Sequence, residues 1–494
     1  MQEHTTDNYG LNRIIWFCVL AVFSASTWML FSAGYWGHLH SAEGNQMFLY
    51  TSMYASQMLS SPGGVSNYIA SFITQFNYWH WLGGALDSLL LTALAFVIST
   101  FRRNRSICPL ALVPSLIYVV LLMDSNWNIA GLVALLLSVA LLRITILLPK
   151  VWQRAVFIIL LLPFLYYYIL CAKFYIYLIA PQRIWWLLVA ITFAIVILCR
   201  YLNLQGRMWN LISIFIYIAL FLTGAYFIKN KYNALNEEIC RYEYMVRNED
   251  WDGIIKYSNG RELKSPLSTN ALNLALAMKG ELGNRMFQYY QNGTRSLINF
   301  EDRKMTSEIL FHLGFVNEAA HIAFEDMASN PSREKGIYHI TRLAKCAAVD
   351  SVNSNLLNRY IAVLDKTLFY RNFNPESTVS HDMEPNEDFF FNYGDFQSML
   401  LKMHSLRKGN RITEEYLAAS LLLTKNLALF EELFSGSTTP DLYHAQAFQM
   451  INALKGGRPE GQLLNYINTY NSVRGNAAYM KSWEKTYWYY YNFR

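Results

Sequence analysis

Residues 35–100 read YWGHLHSAEGNQMFLYTSMYASQMLSSPGGVSNYIASFITQFNYWHWLGGALDSLLLTALAFVIST. One apolar helix ends near Trp36 and the next begins near Trp81. The run between them, about 45 residues long, holds no Lys or Arg and a single acid, Glu43. Connections between neighbouring helices are usually a few residues long, so a polar-aromatic insertion of this size has its own task. Apolar span, long aromatic loop, apolar span is the pattern of a polytopic helical membrane protein.

The composition agrees. The chain has 494 residues, 53% hydrophobic and 15% charged, against about 25% charged in soluble proteins. Residues 1–228 hold 5 acids and 11 bases, a net of +6, and residues 229–494 hold 30 of each. The excess positive charge therefore sits in the apolar half. A nucleic-acid binder carries its basic patch on a soluble face, so no nucleic-acid partner is expected. Cys18, Cys108, Cys171 and Cys199 lie in or beside apolar helices and read as packing residues. Cys240 and Cys346 fall in the polar half and could pair if that half lies outside the cytoplasm. No zinc spacing is present, and no cofactor or metal is expected.

Spans are expected at 14–36, 81–101, 107–123, 127–148, 153–172, 184–200 and 210–228, each near the roughly 20 residues that cross a bilayer. The first continues past Trp28 and Phe31, beyond the roughly 7–15 apolar residues of a cleavable signal. Pro163 is expected to kink the fifth. One set of span ends carries Arg13, Arg102, Arg103, Arg105, Lys150, Arg154, Arg200 and Arg207, and the other only Lys173 and Arg183. By the positive-inside bias the first set is cytoplasmic. The expected location is a bacterial inner membrane, with a cytoplasmic N-terminus and residues after Ile228 in the periplasm. Lys229 and Lys231 pull mildly the other way.

The loop 37–80 then lies outside. Met47, Tyr50, Tyr54 and Met58 fall at helical spacing within 43–59, Ser60–Gly64 breaks the helix, and a second run from Val65 to Trp79 puts Tyr68, Ile69, Phe72 and Phe76 on one face. Two such helices suit the outer interface, as a packing cap or as the floor of a substrate site. Asp87 lies about two turns inside the second span. An intramembrane carboxylate is costly and is a functional candidate, unless it pairs or meets water. His38, His40 and His80 flank the span mouths with Glu43, either as metal ligands or as interfacial hydrogen-bonding groups. Arg143 snorkels.

Beyond residue 228 the periodicity stays helical and charge rises. Asn248, Gly280 and Gly314 are spaced 32 and 34 apart, with ALNLALAMK before Gly280 and NEAA after Gly314. This resembles the tetratricopeptide repeat over roughly 234–330. The pairs 335–347 with 353–370 and 394–407 with 412–434 could extend the array. The resemblance implies a soluble α-solenoid of helix pairs over 229–494, following a transmembrane bundle over 1–228. The terminal aromatics Trp483, Tyr487, Trp488, Tyr490 and Tyr491 either cap that array or dock on the membrane.

Glu43–Phe48, SPGGVSNYIASFITQF (61–76), RYIAVLDKTLFYR (359–371) and EEYLAASLLLTKNLALF (414–430) resemble an uncharacterised family of bacterial polytopic inner-membrane proteins with a helical-repeat C-terminal domain. That resemblance carries no reaction. A looser likeness is to lipid-linked glycosyltransferases, which also have a long first outer loop with an acid near its start. They usually carry a paired acidic motif and more spans, and Glu43 has no nearby acidic partner. Two functions are therefore expected in competition. One is a membrane-anchored scaffold whose solenoid binds a protein or peptide. The other is an envelope enzyme or transporter for a lipid-linked or glycan substrate, with Glu43 and Asp87 as its carboxylates.

Overall fold

The computed structural model describes residues 3–102, 108–176, 180–201, 207–263, 265–329, 335–349, 354–375, 391–407, 409–436 and 441–494. Arg103, Arg105, most of the polar loop 374–390 and the side chains of Arg13 and Arg207 lie outside the described residues. Among the described residues every regular element is helical. The chain forms two compact units. The first comprises Met1–Glu237, Ser329–Ile337 and Ala362–Phe373, and the second Glu238–Ala328, Tyr338–Ile361 and Asn374–Arg494.

In the first unit six helices are long and apolar enough to cross a membrane: Ile14–Gly34, His80–Ser99, Ala130–Leu147, Val151–Leu170, Gln182–Tyr201 and Met208–Lys231. They coincide with six of the seven expected spans and mark the chain as a membrane protein. The expected span 107–123 holds a shorter apolar helix, Pro109–Leu121. His80–Ser99 is the centre of the bundle. Its Leu91, Leu94, Ala95 and Ile98 are wholly buried, and it packs against the first, third and fifth of these helices. Hydroxyls join it to the first span: Ser88 Oγ donates to the Ser24 carbonyl at 2.6 Å and lies 2.8 Å from Thr27 Oγ1. Such polar contacts between spans each contribute on the order of 0.6 kcal/mol.

Pro163 lies inside Val151–Phe164, and a π-helical stretch, Leu165–Leu170, follows directly. Proline lacks the N–H that would bond one turn back, and a π turn is one way a helix absorbs that loss. The carbonyls left at this helix end are met by the SPGG turn. Gly63 N–H donates to the Tyr167 carbonyl at 2.7 Å, and Ser66 Oγ to the Ile169 carbonyl at 3.1 Å. Gly63 has φ +68°, and a Cβ there would sit 2.4 Å from the Cys171 carbonyl oxygen.

The loop differs in detail from the expected pair of helices. Trp36–Gly44 forms a helix of its own, residues 46–50 form no regular element, and Ser52–Leu59 is a separate helix, so the expected 43–59 helix is broken in the middle. The second helix, Gly64–Thr74, buries Ser66, Asn67, Ala70 and Ser71 rather than its aromatic face. Its aromatics turn toward Phe48 instead, which lies 5.1 Å from Tyr68 and 5.5 Å from Phe72 between ring centres.

The second unit is built on two helices buried on every side, Pro266–Lys279 and Arg411–Leu423. A helix apolar all round belongs in a core. Pro266–Lys279 also buries Asn270 and Asn273, whose amides hold the loop carbonyls of Arg295 and Ser296 at 2.8 and 2.9 Å. Several helices end in the same turn. A left-handed residue at Glu249, Gly280, Gly314, Lys425 and Gly456 is followed by an N–H that bonds five residues back: Asp250 to Met245, Glu281 to Leu276, Phe315 to Leu310, Asn426 to Leu421 and Gly457 to Asn452. This is the Schellman closure. At Asp250 and Asn426 the residue after it also caps the next helix, accepting from Gly253 and Leu429.

After Gly280 only one helical turn, Leu282–Arg285, follows. The expected helix 412–434 divides at Lys425 into Arg411–Leu423 and Leu427–Phe434. The terminal aromatics join the core, where Tyr490 donates to the Leu423 carbonyl and Trp488 Nε1 to that of Gln446, both at 2.9 Å. Cys240 and Cys346 are buried, and no disulfide joins them.

Candidate functional site

Glu43 ends the helix Trp36–Gly44, where Asn45 turns its N–H back onto the Ser41 carbonyl. The Glu43 side chain is buried and accepts a 2.8 Å hydrogen bond from the Tyr370 hydroxyl. Tyr370 arrives on the returning segment 362–373, which folds on itself: Thr367 Oγ1 accepts from Tyr370 N–H at 3.2 Å, and Asp365 Oδ1 from Asn372 N–H at 3.2 Å. Residues 46–50 are held at both ends. Tyr50 N–H donates to the Lys366 carbonyl at 2.8 Å, and Ile337 N–H to that of Gln46 at 3.2 Å. Phe369 stacks on Tyr78 at 4.9 Å and meets Trp79 edge-on at 5.1 Å. A small half-open cavity of about 20 Å³ remains, lined by Glu43, Gln46, Met47, Phe48, Gln75, Ile337, Thr367, Leu368, Phe369 and Tyr370. It offers a carboxylate, two amides and two hydroxyls on an aromatic wall.

Asp87 is buried in the bundle near Tyr118, and no hydrogen bond or ion pair reaches it among the described residues. None of the described hydrogen bonds joins it to Glu43.

His38 has a structural post. Its Nδ1–H donates to Glu237 Oε2 at 2.7 Å, and its Nε2 accepts from Asn236 Nδ2 at 3.0 Å. Glu237 also accepts from the backbone N–H groups of Gly37 at 2.9 Å and His38 at 3.2 Å. A carboxylate at a helix start meets free N–H groups and the positive end of the dipole. Both ring nitrogens of His38 are thus engaged within the protein. His40 and His80 lie 5.6 Å apart between ring centres, each beside Trp36. Among the described residues no group of three or more His, Cys, Asp or Glu is arranged to hold a metal.

The second unit has a buried polar ladder of its own. Arg342 Nε donates to Glu308 Oε1 at 3.1 Å, and the same oxygen accepts from Tyr338 at 2.9 Å. His339 Nε2 meets Asp326 at 2.7 Å, and Lys345 donates to Glu249 at 2.7 Å. Burial draws the Arg342 guanidinium down to about 10 and pushes His312 down to about 4. Removing one partner of a buried charge pair costs about 3–5 kcal/mol.

Sequence reasoning singled out Glu43, Asp87 and His38 but missed Glu237 and Tyr370. Nothing local marks them, because each acts on a residue about 200 or more positions away. No curated protein and no solved structure matches the chain. Over residues 11–494 it matches the model of DUF6057, and by that match it belongs to this family of unknown function.

Proposed function

We propose that the protein is an inner-membrane scaffold. Its bundle would anchor a periplasmic solenoid of helix pairs, and the exposed flank of that array would bind a protein or peptide. The observation that carries this reading is the recurring Schellman turn at Glu249, Gly280, Gly314, Lys425 and Gly456. Repetition of one turn between helices is how repeat proteins extend a binding surface. The Lys and Arg bias of the span ends supports the orientation; it requires the short helix Pro109–Leu121 to cross together with the six long ones, since six crossings alone would return the chain to the side of its N-terminus.

A second reading, an enzyme or transporter for a lipid-linked or glycan substrate, is favoured by the cavity beside Glu43. A photo-crosslinking residue at exposed Phe324 separates the two in living cells. The scaffold reading expects a discrete adduct that Glu43→Gln and Asp87→Asn leave unchanged, and both variants complement a deletion strain. No adduct, together with complementation lost at normal protein abundance, would transfer the function to the cavity.

A further inference from the structure

Two thiols meet inside the first unit. Cys108 immediately precedes the turn Pro109–Leu112, and Cys199 lies in the last turns of Gln182–Tyr201. Their sulfurs are 2.8 Å apart, in residues 7% and 1% exposed. A disulfide bond is about 2.05 Å long, so the sulfurs are less than about 1 Å from bonding distance. Among the described residues Arg102 brings a charge to this place. Its Nε donates to the Ser99 carbonyl at 2.7 Å, its guanidinium lies 5.7 Å from the Trp16 ring centre, and it interacts electrostatically with both sulfurs. Thiolates, not thiols, are the nucleophiles of sulfur chemistry, and a neighbouring cation favours them. Two buried donors stand nearby. Trp16 Nε1 and the Tyr217 hydroxyl have no hydrogen-bond partner among the described residues, their rings lie 6.0 Å apart, and Arg102 interacts with Tyr217 as well. Packing alone gives no reason for two sulfurs, a guanidinium and buried polar groups to share one apolar place.

We propose that Cys108 and Cys199 form a reversible dithiol–disulfide site, oxidised by a small uncharged peroxide. The Cys108 thiolate attacks one peroxide oxygen, the O–O bond breaks, and the departing hydroxide takes a proton to become water. The Cys199 sulfur, giving up its proton, then attacks the resulting sulfenic acid. The S–O bond breaks, the S–S bond forms, and a second water leaves. Two thiols lose two electrons and hydrogen peroxide gains them. The bond would tie the approach to Pro109–Leu121 covalently to the span Gln182–Tyr201, and a dithiol reductant would reverse it by exchange. The site is independent of the scaffold reading and of which side this end faces.

The test uses the full-length protein in native membranes treated with hydrogen peroxide. Free thiols are blocked under denaturing conditions, disulfides are reduced, and the released thiols receive a maleimide mass tag. The expected result is a species with two tags in most of the protein, reduced to background by Cys108→Ser or by Cys199→Ser and erased by prior dithiothreitol. Mass spectrometry of unreduced wild-type digests checks the linkage without any variant and should find one peptide pair joining Cys108 to Cys199. Oxidised wild-type protein without that peptide pair, or a two-tag species that survives Cys108→Ser, would overturn the proposal.

Discussion

At the scale of single residues, burial rather than exposure decides which polar groups matter. His312 is buried against Trp251, with ring centres 5.2 Å apart, and lies beside Glu249 and Lys345. Burial lowers its pKa from 6.5 to about 4, so the folded protein holds it neutral. As pH falls below 6.5 the unfolded chain takes up a proton that the folded chain refuses, and stability drops until about pH 4. At about 1.4 kcal/mol per unit, the loss by pH 5 is about 2 kcal/mol. Burial also raises the Glu415 carboxyl to about 7, which adds stability as pH falls over the same window, so the loss is read against a variant. Between pH 7 and pH 5 the thermal stability of detergent-solubilised wild type should fall by about 2 kcal/mol relative to that of His312→Phe. An equal change in the two proteins would assign the acid sensitivity to other groups. Of the residues at the candidate site, Glu43 was legible as the lone acid of an uncharged loop. Tyr370 was not, because it reads as one tyrosine in a helical-looking stretch and gains its role only by the return of 362–373.

At the scale of elements, local periodicity describes long apolar helices well and short polar ones poorly. Met47, Tyr50, Tyr54 and Met58 recur at helical spacing, yet residues 46–50 form no helix, and Gln46 and Tyr50 spend backbone groups on Ile337 and Lys366. Nothing within the loop encodes partners about 300 residues away. The split of 412–434 was hidden for another reason. Its left-handed residue is Lys425, φ 58°, where a glycine would have announced the turn. The SPGG turn was legible as a break, but its service to the end of Val151–Leu170 was not. Gly63→Ala tests that service. The variant combines a left-handed alanine, costing about 1–2 kcal/mol, with a Cβ placed 2.4 Å from the Cys171 carbonyl oxygen. A total loss of at least about 2 kcal/mol is expected, read as a lower melting temperature. Gly293→Ala is the control, since its φ is also positive but nothing lies within 4 Å of its Cβ position. Equal losses in the two variants would show that the contact with the helix end contributes nothing.

For the whole molecule, hydropathy located six helices of crossing length, and the charge difference between residues 1–228 and 229–494 separated an apolar half from a polar one. What composition could not show is that Ser329–Ile337 and Ala362–Phe373 belong to the compact unit that holds the spans. The scaffold reading requires the second unit to work on the outer side of the membrane, and sidedness tests this most directly. Ser472 is exposed at the end of the helix Gly461–Ser472. A cysteine at that position, in a background without the native cysteines, can be exposed to a membrane-impermeant maleimide in cells whose outer membrane alone is permeabilised. Labelling in intact inner membranes, equal to that after lysis, is the predicted result. Labelling that occurs only after lysis would place the second unit in the cytoplasm and contradict a periplasmic scaffold.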